Sequence, residues 1–329
     1  MKKLINNPNQ VVTEMLQGLA KANPNVIYAG EGVEVISRKD KKQGKVGVIS
    51  GGGSGHEPAH AGYVGLGMLD AAVAGNVFAS PSPDRIIEGI RRADSGQGVL
   101  MVIKNYSGDI MNFQMAGELA QMEGIQTDFV VAKDDVAVAD STYSTGRRGI
   151  AGTVFVHKIA GAAAEQGKSL SEVKAAAQKT IDRVRSMGMA MTPCILPGVG
   201  KAGFSLAENE IEIGMGIHGE PGVSRESITP AKELAEKLVK RILDDYDFSD
   251  SEVAVMVNGL GGTPLMELYI VYREVERILA AKAIGIYRAF VGNYMTSLEM
   301  SGCSITMLKL DEELKGYLDF PSDAPAFRV

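Results

Sequence analysis

Tryptophan is absent from this 329-residue chain, and aromatic residues make up only 6% of it. That scarcity argues against stacking platforms, and a net charge of −6 without a dense basic run argues against nucleic acid as a partner. Only two cysteines occur, without metal-type spacing, which predicts reduced thiols and a cytoplasmic location. No N-terminal apolar segment of the signal-peptide type and no run of about 18 uncharged apolar residues occur, so we expect no membrane span.

Glycine, in contrast, is abundant at 39 residues, and the stretch 51–58 reads GGGSGHEP. It follows an apolar run at 45–50 that predicts a buried strand. Glycine lets a ligand approach bare backbone N–H groups, and ligands of open α/β sheets lie beyond the carboxyl ends of the strands. We therefore predict a small-molecule site here, with the titratable ring of His56 at its edge.

Three familiar motifs lie close to this stretch, and none is complete. A P-loop needs Lys-Ser or Lys-Thr after its glycines, and a dinucleotide fingerprint needs a third glycine where His56 or Pro58 stands. Residues 56–60 read HEPAH and match the zinc-protease pattern H-E-x-x-H, in which both histidines share one helix face. Pro58 would interrupt that helix, so a zinc hydrolase using His56 and His60 is a distant alternative.

Short apolar runs alternate with amphipathic segments along the chain, which predicts an α/β fold containing a parallel sheet. The clearest strand is predicted at 98–103. A helix is predicted from residue 83 to about residue 93, with Ser82 as its cap and Pro83 at its first position. The tail 320–329 contains two prolines, and we expect it to be poorly ordered or to lie over a partner.

A change of pattern near residue 185 predicts two domains. Residues 1–184 are expected to form an N-terminal domain with a mostly parallel sheet and helices on both faces. Residues 185–329 are expected to form a smaller α/β domain.

Three titratable side chains follow predicted strands in turns of small residues: His56, Asp109 and His218. A carboxylate there can act as a general base on a substrate hydroxyl, but Asp109 could instead cap the helix that follows. Lys104, at the same strand end, can donate to a substrate oxygen or be an ordinary surface charge. A neutral imidazole can act as a nucleophile or a base, and the alternative for both histidines is a structural role.

Four motifs together resemble those of the dihydroxyacetone kinase family. They are GGGSGHEP at 51–58, FASP at 78–81, KNYSGD at 104–109 and GIHGEPG at 216–222. Each is modest alone, but their order and spacing match the family, and the similarity extends over essentially the whole chain.

The resemblance implies that dihydroxyacetone lies among residues of all four motifs: Gly53, Ser54, Gly55, His56, Ser80, Lys104, Asp109 and His218. It implies that the substrate carbonyl carbon becomes attached to a ring nitrogen of His218 as a hemiaminal. Asp109 is then the base on the hydroxyl that is phosphorylated, and His56 shares the acid–base work. The implied catalytic residues are His56, Asp109 and His218, and no metal ligand is expected.

Covalent attachment suits so small a substrate. Dihydroxyacetone has about six heavy atoms, and even the best tiny ligands gain at most about 1.5 kcal/mol per atom. Few contacts can therefore separate it from glycerol, whereas a bond to the carbonyl carbon separates them because glycerol has no carbonyl. The bond also fixes the hydroxyl for phosphoryl transfer, which needs mainly positioning and charge neutralisation.

Single-chain, ATP-dependent members of the family resemble this sequence at the N-terminus and continue into a helical nucleotide-binding domain. This chain ends at Val329 without one, so we expect it to bind no cofactor itself and the phosphoryl donor to lie on another protein. The resemblance implies a helical partner subunit that carries ADP or ATP with Mg²⁺ and is recharged by a phosphotransferase-system protein. It also implies a homodimer.

The nearest rival is a relative that binds dihydroxyacetone covalently and acts as a co-activator of a transcription regulator. The presence of both His56 and Asp109 favours catalysis, although binding alone could also retain them.

Overall fold

The computed structural model describes residues 2–139 and 146–329. Its strands are β1 (Val26–Tyr28), β2 (Val35–Arg38), β3 (Gly47–Ser54), β4 (Ala71–Val77), β5 (Val99–Lys104), β6 (Thr127–Ala132), β7 (Val184–Ala190), β8 (Glu210–Ile213), β9 (Ser224–Ser227), β10 (Glu252–Gly259), β11 (Gly285–Gly292), β12 (Gly302–Lys309), β13 (Asp323–Ala324) and β14 (Phe327–Arg328). Its α-helices are α1 (Val11–Ala22), α2 (Pro83–Ala93), α3 (Ser107–Met122), α4 (Thr153–Glu165), α5 (Leu170–Arg183), α6 (Ala231–Asp245), α7 (Leu265–Ala281) and α8 (Glu312–Asp319).

The first sheet has the strand order β1-β2-β4-β3-β5-β6. Its neighbours β4, β3, β5 and β6 run parallel, while β1 and β2 form an antiparallel edge. Strand β5 explains why helices cover both faces, because its side chains alternate between two apolar cores. Leu100 and Val102 join the core that contains α4 and α5, whereas Met101 and Ile103 join the one that contains α2 and α3. The predicted α/β fold with a mostly parallel sheet is confirmed.

The second sheet has the order β11-β10-β12-β7-β8-β9, and only β10 and β11 run parallel in it. Helices α6 and α7 cover one face. On the other face, Met256 and Leu308 belong to the same apolar core as Val48 and Leu100 of the first sheet. The two sheets therefore share one core. The second sheet begins at Val184, and the division into separate domains near residue 185 stays a prediction.

Two expectations about local structure are wrong. The glycines at 51–53 do not form a loop after a strand, because they pair with Val73 to Gly75 and continue β3 to Ser54. The tail is not poorly ordered either: β13 and β14 form an antiparallel hairpin, and Phe327 is buried in the shared core. That the tail lies over a partner stays a prediction. Lys158 Nζ donates to backbone carbonyl oxygens at the end of α8 and just after it, which fixes the start of this tail.

None of the helices in the described part of the chain is long and apolar enough to cross a membrane.

Candidate active site

The candidate site lies at the carboxyl edge of the first sheet, where β3, β4 and β5 end side by side. His56 follows β3, Ser80 follows β4, and Lys104 and Asp109 lie at the end of β5 and just beyond it. Because the three strands are parallel neighbours, side chains that are distant in sequence meet at one edge.

Asp109 is held by two donors. Lys104 Nζ lies 2.9 Å from Oδ2, and Ser80 Oγ donates to Oδ1. Lys104 and Asp109 are both buried, and α3 starts at Ser107 with Tyr106 as its N-cap residue. The interpretations of Asp109 as a helix cap and of Lys104 as a surface charge are therefore wrong. Each carboxylate oxygen of Asp109 keeps a second lone pair that can accept a substrate hydroxyl.

Gly52 leaves the space that the ammonium group of Lys104 occupies. A Cβ at this position would lie 2.5 Å from Lys104 Nζ and 3.3 Å from Asp109 Oδ2. Any side chain here would push the ammonium group away from the carboxylate. The glycine stretch thus creates room for a buried charge as well as for a ligand.

His56 is fully buried and is oriented by the second half of the chain. Its Nδ1 lies 2.8 Å from the carbonyl oxygen of Thr296; a carbonyl only accepts, so Nδ1 carries a proton. Burial lowers the pKa of His56 well below its ordinary value, and positive charge on His218 and Lys104 lowers it further. His56 therefore favours the neutral ring, with the lone pair on Nε2.

His218 comes from the loop after β8 and faces His56 across the site. The two Nε2 atoms are 3.1 Å apart. On its other side, His218 Nδ1 lies 2.9 Å from Glu220 Oε1, and the backbone N–H of His218 donates to Glu220 Oε2 at 2.9 Å. Burial alone would raise the pKa of Glu220, but the hydrogen bonds and charge of His218 lower it to about 2. Glu220 is therefore ionised at neutral pH.

Two aromatic rings hold the histidine pair in place. Phe78 stacks on His56 with ring centres 5.1 Å apart and meets His218 edge-on at 5.3 Å. Tyr106 meets His218 edge-on at 4.6 Å, and Lys104 Nζ lies 5.2 Å from the Tyr106 ring centre. Phe78 has a φ of 57°, a left-handed conformation that is rare for a bulky residue and clusters at functional sites. Lys104 and His218 thus both contact the ring of Tyr106.

The predicted residues fall into two groups. His56, Ser80, Lys104, Asp109 and His218 present their side chains to one another as described above. Gly53, Ser54 and Gly55 make packing contacts and a backbone-directed hydrogen bond in the structure. Ser54 Oγ donates to the carbonyl oxygen of Gly75. A Cβ on Gly53 or Gly55 would lie within 3 Å of backbone atoms of residues 78–79 or of the Phe78 ring, respectively. Their contact with substrate stays a prediction.

We expect Gly53→Ala to damage the site although it adds one methyl group. The new Cβ would lie 2.6 Å from the backbone nitrogen of Ala79 and would displace the turn that carries Phe78 and Ser80. The expected loss of unfolding free energy is about 1–3 kcal/mol, with weaker binding of dihydroxyacetone, the substrate that the family resemblance implies. Urea unfolding and ligand titration measure the two effects. Gly18→Ala is the matched control, because a Cβ at Gly18 meets nothing within 4 Å. Equal behaviour of the two variants would contradict this packing role.

The zinc-hydrolase alternative gains no support from the geometry. Residues 56–60 do not form a helix, so the two histidines do not share a helix face. His56 Nε2 faces His218, whereas His60 Nδ1 lies 3.0 Å from His157 Nε2. Within residues 2–139 and 146–329, no three His, Cys, Asp or Glu side chains form a group that could hold a metal ion.

The His60–His157 pair makes stability depend on pH. Burial lowers the pKa of His157 to about 3, and the charge of Lys104 lowers it as well. The unfolded chain binds this proton near pH 6.5 and the folded chain only near pH 3. The free energy of unfolding should therefore fall as the pH drops below 6.5, by about 2 kcal/mol at pH 5 for this residue. Urea unfolding at pH 7.5 and pH 5 measures this fall in the free energy of unfolding, which should be smaller in His157→Gln. An equal fall in the variant and the wild type would contradict the role of His157.

Four residues at the site were not predicted to act there: Phe78, Tyr106, Glu220 and Thr296. The first three stand inside the quoted motifs, and a carboxylate two residues after a glycine-flanked histidine was a readable signal for Glu220. Thr296 had none, since it is 240 positions from His56 and acts through its backbone.

Comparison with known proteins gives a family and close relatives. Residues 17–326 match the Dak1 domain family. The dihydroxyacetone-binding subunit DhaK of PTS-dependent dihydroxyacetone kinase 1 of Listeria innocua is 53% identical over 329 residues, covering 99% of this chain and 100% of the relative.

Solved structures agree with this fold. The C. freundii dihydroxyacetone kinase in complex with AMP-PNP and Mg²⁺ superposes with a TM-score of 0.93 at 35% identity, over 99% of this chain and 61% of that longer chain. The dihydroxyacetone kinase operon co-activator Dha-DhaQ superposes with a TM-score of 0.91 at 38% identity, over 95% of this chain and 97% of that one.

Proposed function

This chain belongs to the Dak1 domain family, and on that premise we propose that it is the dihydroxyacetone-binding subunit of a dihydroxyacetone kinase. One observation carries the proposal: a nucleophile-base pair, His218 and His56, lies beside the buried Asp109–Lys104 pair at the ends of parallel strands. The first pair can capture a carbonyl, and the second can activate a hydroxyl. The 53% identity to a subunit named for binding dihydroxyacetone supports it.

In this function His218 Nε2 bonds to the carbonyl carbon of dihydroxyacetone and gives a hemiaminal. A terminal hydroxyl of the bound substrate then lies against Asp109, which takes its proton as the phosphoryl group arrives. Lys104 and Ser80 hold the carboxylate in position through hydrogen bonds. The product is dihydroxyacetone phosphate.

The phosphoryl donor is proposed to be ADP/ATP with Mg²⁺ on a separate helical subunit, itself recharged by a phosphotransferase-system protein. Two relatives support this division. The Listeria relative is named as one subunit of a PTS-dependent kinase, and the C. freundii kinase, of which this chain covers 61%, was solved with AMP-PNP and Mg²⁺. We further propose a cytoplasmic homodimer, as the family resemblance implies.

The test combines binding with transfer. Carbon NMR of carbonyl-labelled dihydroxyacetone mixed with this protein should show a tetrahedral signal distinct from that of the free hydrate, and adding the nucleotide-bearing subunit should yield dihydroxyacetone phosphate. Glycerol, without a carbonyl, is the control substrate. Absence of the tetrahedral signal from the mixture would refute covalent binding.

A second candidate function is supported by the similarity to the co-activator Dha-DhaQ. Such a protein would give the tetrahedral signal but no phosphate transfer with any donor subunit. The transfer experiment therefore separates the two functions. Asp109, buried and hydrogen-bonded as a base should be, favours the kinase.

A further inference from the structure

The ring nitrogens of His56 and His218 define how many protons the pair holds. His56 Nδ1 faces the Thr296 carbonyl and His218 Nδ1 faces the Glu220 carboxylate, at 2.8 and 2.9 Å. Both partners only accept hydrogen bonds, so both Nδ1 atoms carry protons. In two neutral rings the Nε2 lone pairs would then point at each other across 3.1 Å. One additional proton between them turns this repulsion into a hydrogen bond.

We propose that Glu220 is a positioning residue that fixes the Nδ1 proton of His218, so that His56 and His218 share one proton between their Nε2 atoms. This inference rests on the proposed function, in which the shared proton is the one delivered to the substrate carbonyl oxygen. Glu220 does not touch the reacting atoms; it acts through the His218 ring.

The covalent step balances with this proton count. When the shared proton lies on Nε2 of His56, the Nε2 lone pair of His218 is free to form the bond to the carbonyl carbon, and the π electrons of the carbonyl move to its oxygen. The shared proton moves to that oxygen and makes it a hydroxyl. The His218 ring is left as a cation, alkylated on Nε2 and protonated on Nδ1, while His56 is neutral. The single positive charge present before the step remains, and no further reactant is needed.

The surroundings show why the carboxylate matters in the product. The His218 cation is surrounded by the rings of Phe78, Tyr106 and His56, and the ammonium group of Lys104 lies 5.2 Å from the centre of the Tyr106 ring. Of the carboxylates that the described structure shows around His218, Glu220 is the one bonded to its ring. Its negative charge therefore stabilises the adduct directly.

Glu220→Gln tests the inference with nearly unchanged shape. The glutamine oxygen can accept only one of the two donors that Glu220 now serves, the Nδ1–H and the backbone N–H of His218. The other donor faces an NH₂ group, and the charge is lost. We expect half-saturation of the tetrahedral carbon signal to need about tenfold to hundredfold more dihydroxyacetone.

Glu212→Gln is the matched control. Glu212 is another buried glutamate, in β8 just before the loop that carries His218, and it accepts from the Gly222 N–H and from Arg225. Its variant should saturate like the wild type. Equal saturation of Glu220→Gln and the wild type would overturn the inference.

Histidine-labelled wild-type protein gives a second readout that needs no variant. Nitrogen NMR should show a proton on Nδ1 of His218 both before and after dihydroxyacetone is added. The proton shared by the two Nε2 atoms should be seen only before the addition. An unprotonated Nδ1 in the adduct would overturn the inference even with the adduct present. If the wild type forms no adduct, the proposed function fails instead. The proton positions in the free protein then still show whether His56 and His218 share a proton.

Discussion

Replacing His218 by alanine is expected to eliminate the tetrahedral carbon signal of bound dihydroxyacetone and, with it, phosphoryl transfer. The alanine has no nucleophile, and the substrate is too small for its remaining contacts to hold it in one orientation. Because orientation supplies much of the rate of such reactions, we expect transfer to fall by at least about a thousandfold. Carbon NMR and a transfer assay with the nucleotide-bearing subunit measure the two effects.

This variant should stay folded, which makes the loss interpretable. The His218 side chain is 20% exposed and lies in a loop rather than in a core. The temperature of heat denaturation should therefore change little. A tetrahedral signal of bound substrate that persists in the folded variant would show that another residue forms the covalent bond. A folded variant that lost the signal but kept wild-type transfer would show that the bond is not required for the reaction.

Asp109→Asn should separate capture from transfer. The amide cannot take a proton from the substrate hydroxyl, so we expect transfer to fall by about a hundredfold to ten-thousandfold. The hemiaminal signal should persist, since the histidine pair and Glu220 are untouched. Dihydroxyacetone phosphate formation and the carbon signal are measured on the same sample.

The buried ion pair complicates this substitution in a predictable way. Removing the charge of Asp109 leaves the ammonium group of Lys104 buried without its partner, at a cost of about 3–5 kcal/mol in unfolding free energy. The double variant Asp109→Asn with Lys104→Met removes both charges and should recover part of that stability without recovering transfer. Asp128→Asn, a half-exposed acid on β6, is the control for acid-to-amide exchange. Transfer at the wild-type rate in folded Asp109→Asn would exclude Asp109 as the base.

Local pattern was enough to place much of this fold. A few residues are enough to predict β5 from its apolar run and the start of α2 from its proline. Burial on both faces and helix initiation each have a local sequence signature. At the start of α5, Ser169 and Glu172 form a capping box, whose three-residue spacing is visible in the sequence. The sequence of the glycine stretch did not reveal that β3 continues through it, because glycine weakens a strand unless neighbouring backbone needs its space.

The candidate site shows the same limit. Residues at the ends of adjacent parallel strands, such as His56 and Asp109, are predictable because the sheet brings them together. The acceptor for His56 is a backbone carbonyl 240 positions away, and no residue type marks such a group in a sequence. The tail was misjudged for a related reason: its two prolines break regular structure locally, while the burial of Phe327 depends on a core assembled from distant elements.

The shared core has a consequence for how the molecule opens. The segment after β11 joins the glycine stretch through backbone bonds from Thr296 to His56 and from Leu298 to Gly55, so the site exists only while both sheets are in place. A ligand present at a hundred times its dissociation constant would then raise the free energy of any opening that separates the two sheets by about 2.7 kcal/mol. Amide hydrogens in β5 and in β12 should therefore slow their exchange with solvent together when dihydroxyacetone binds, although the two strands belong to different sheets.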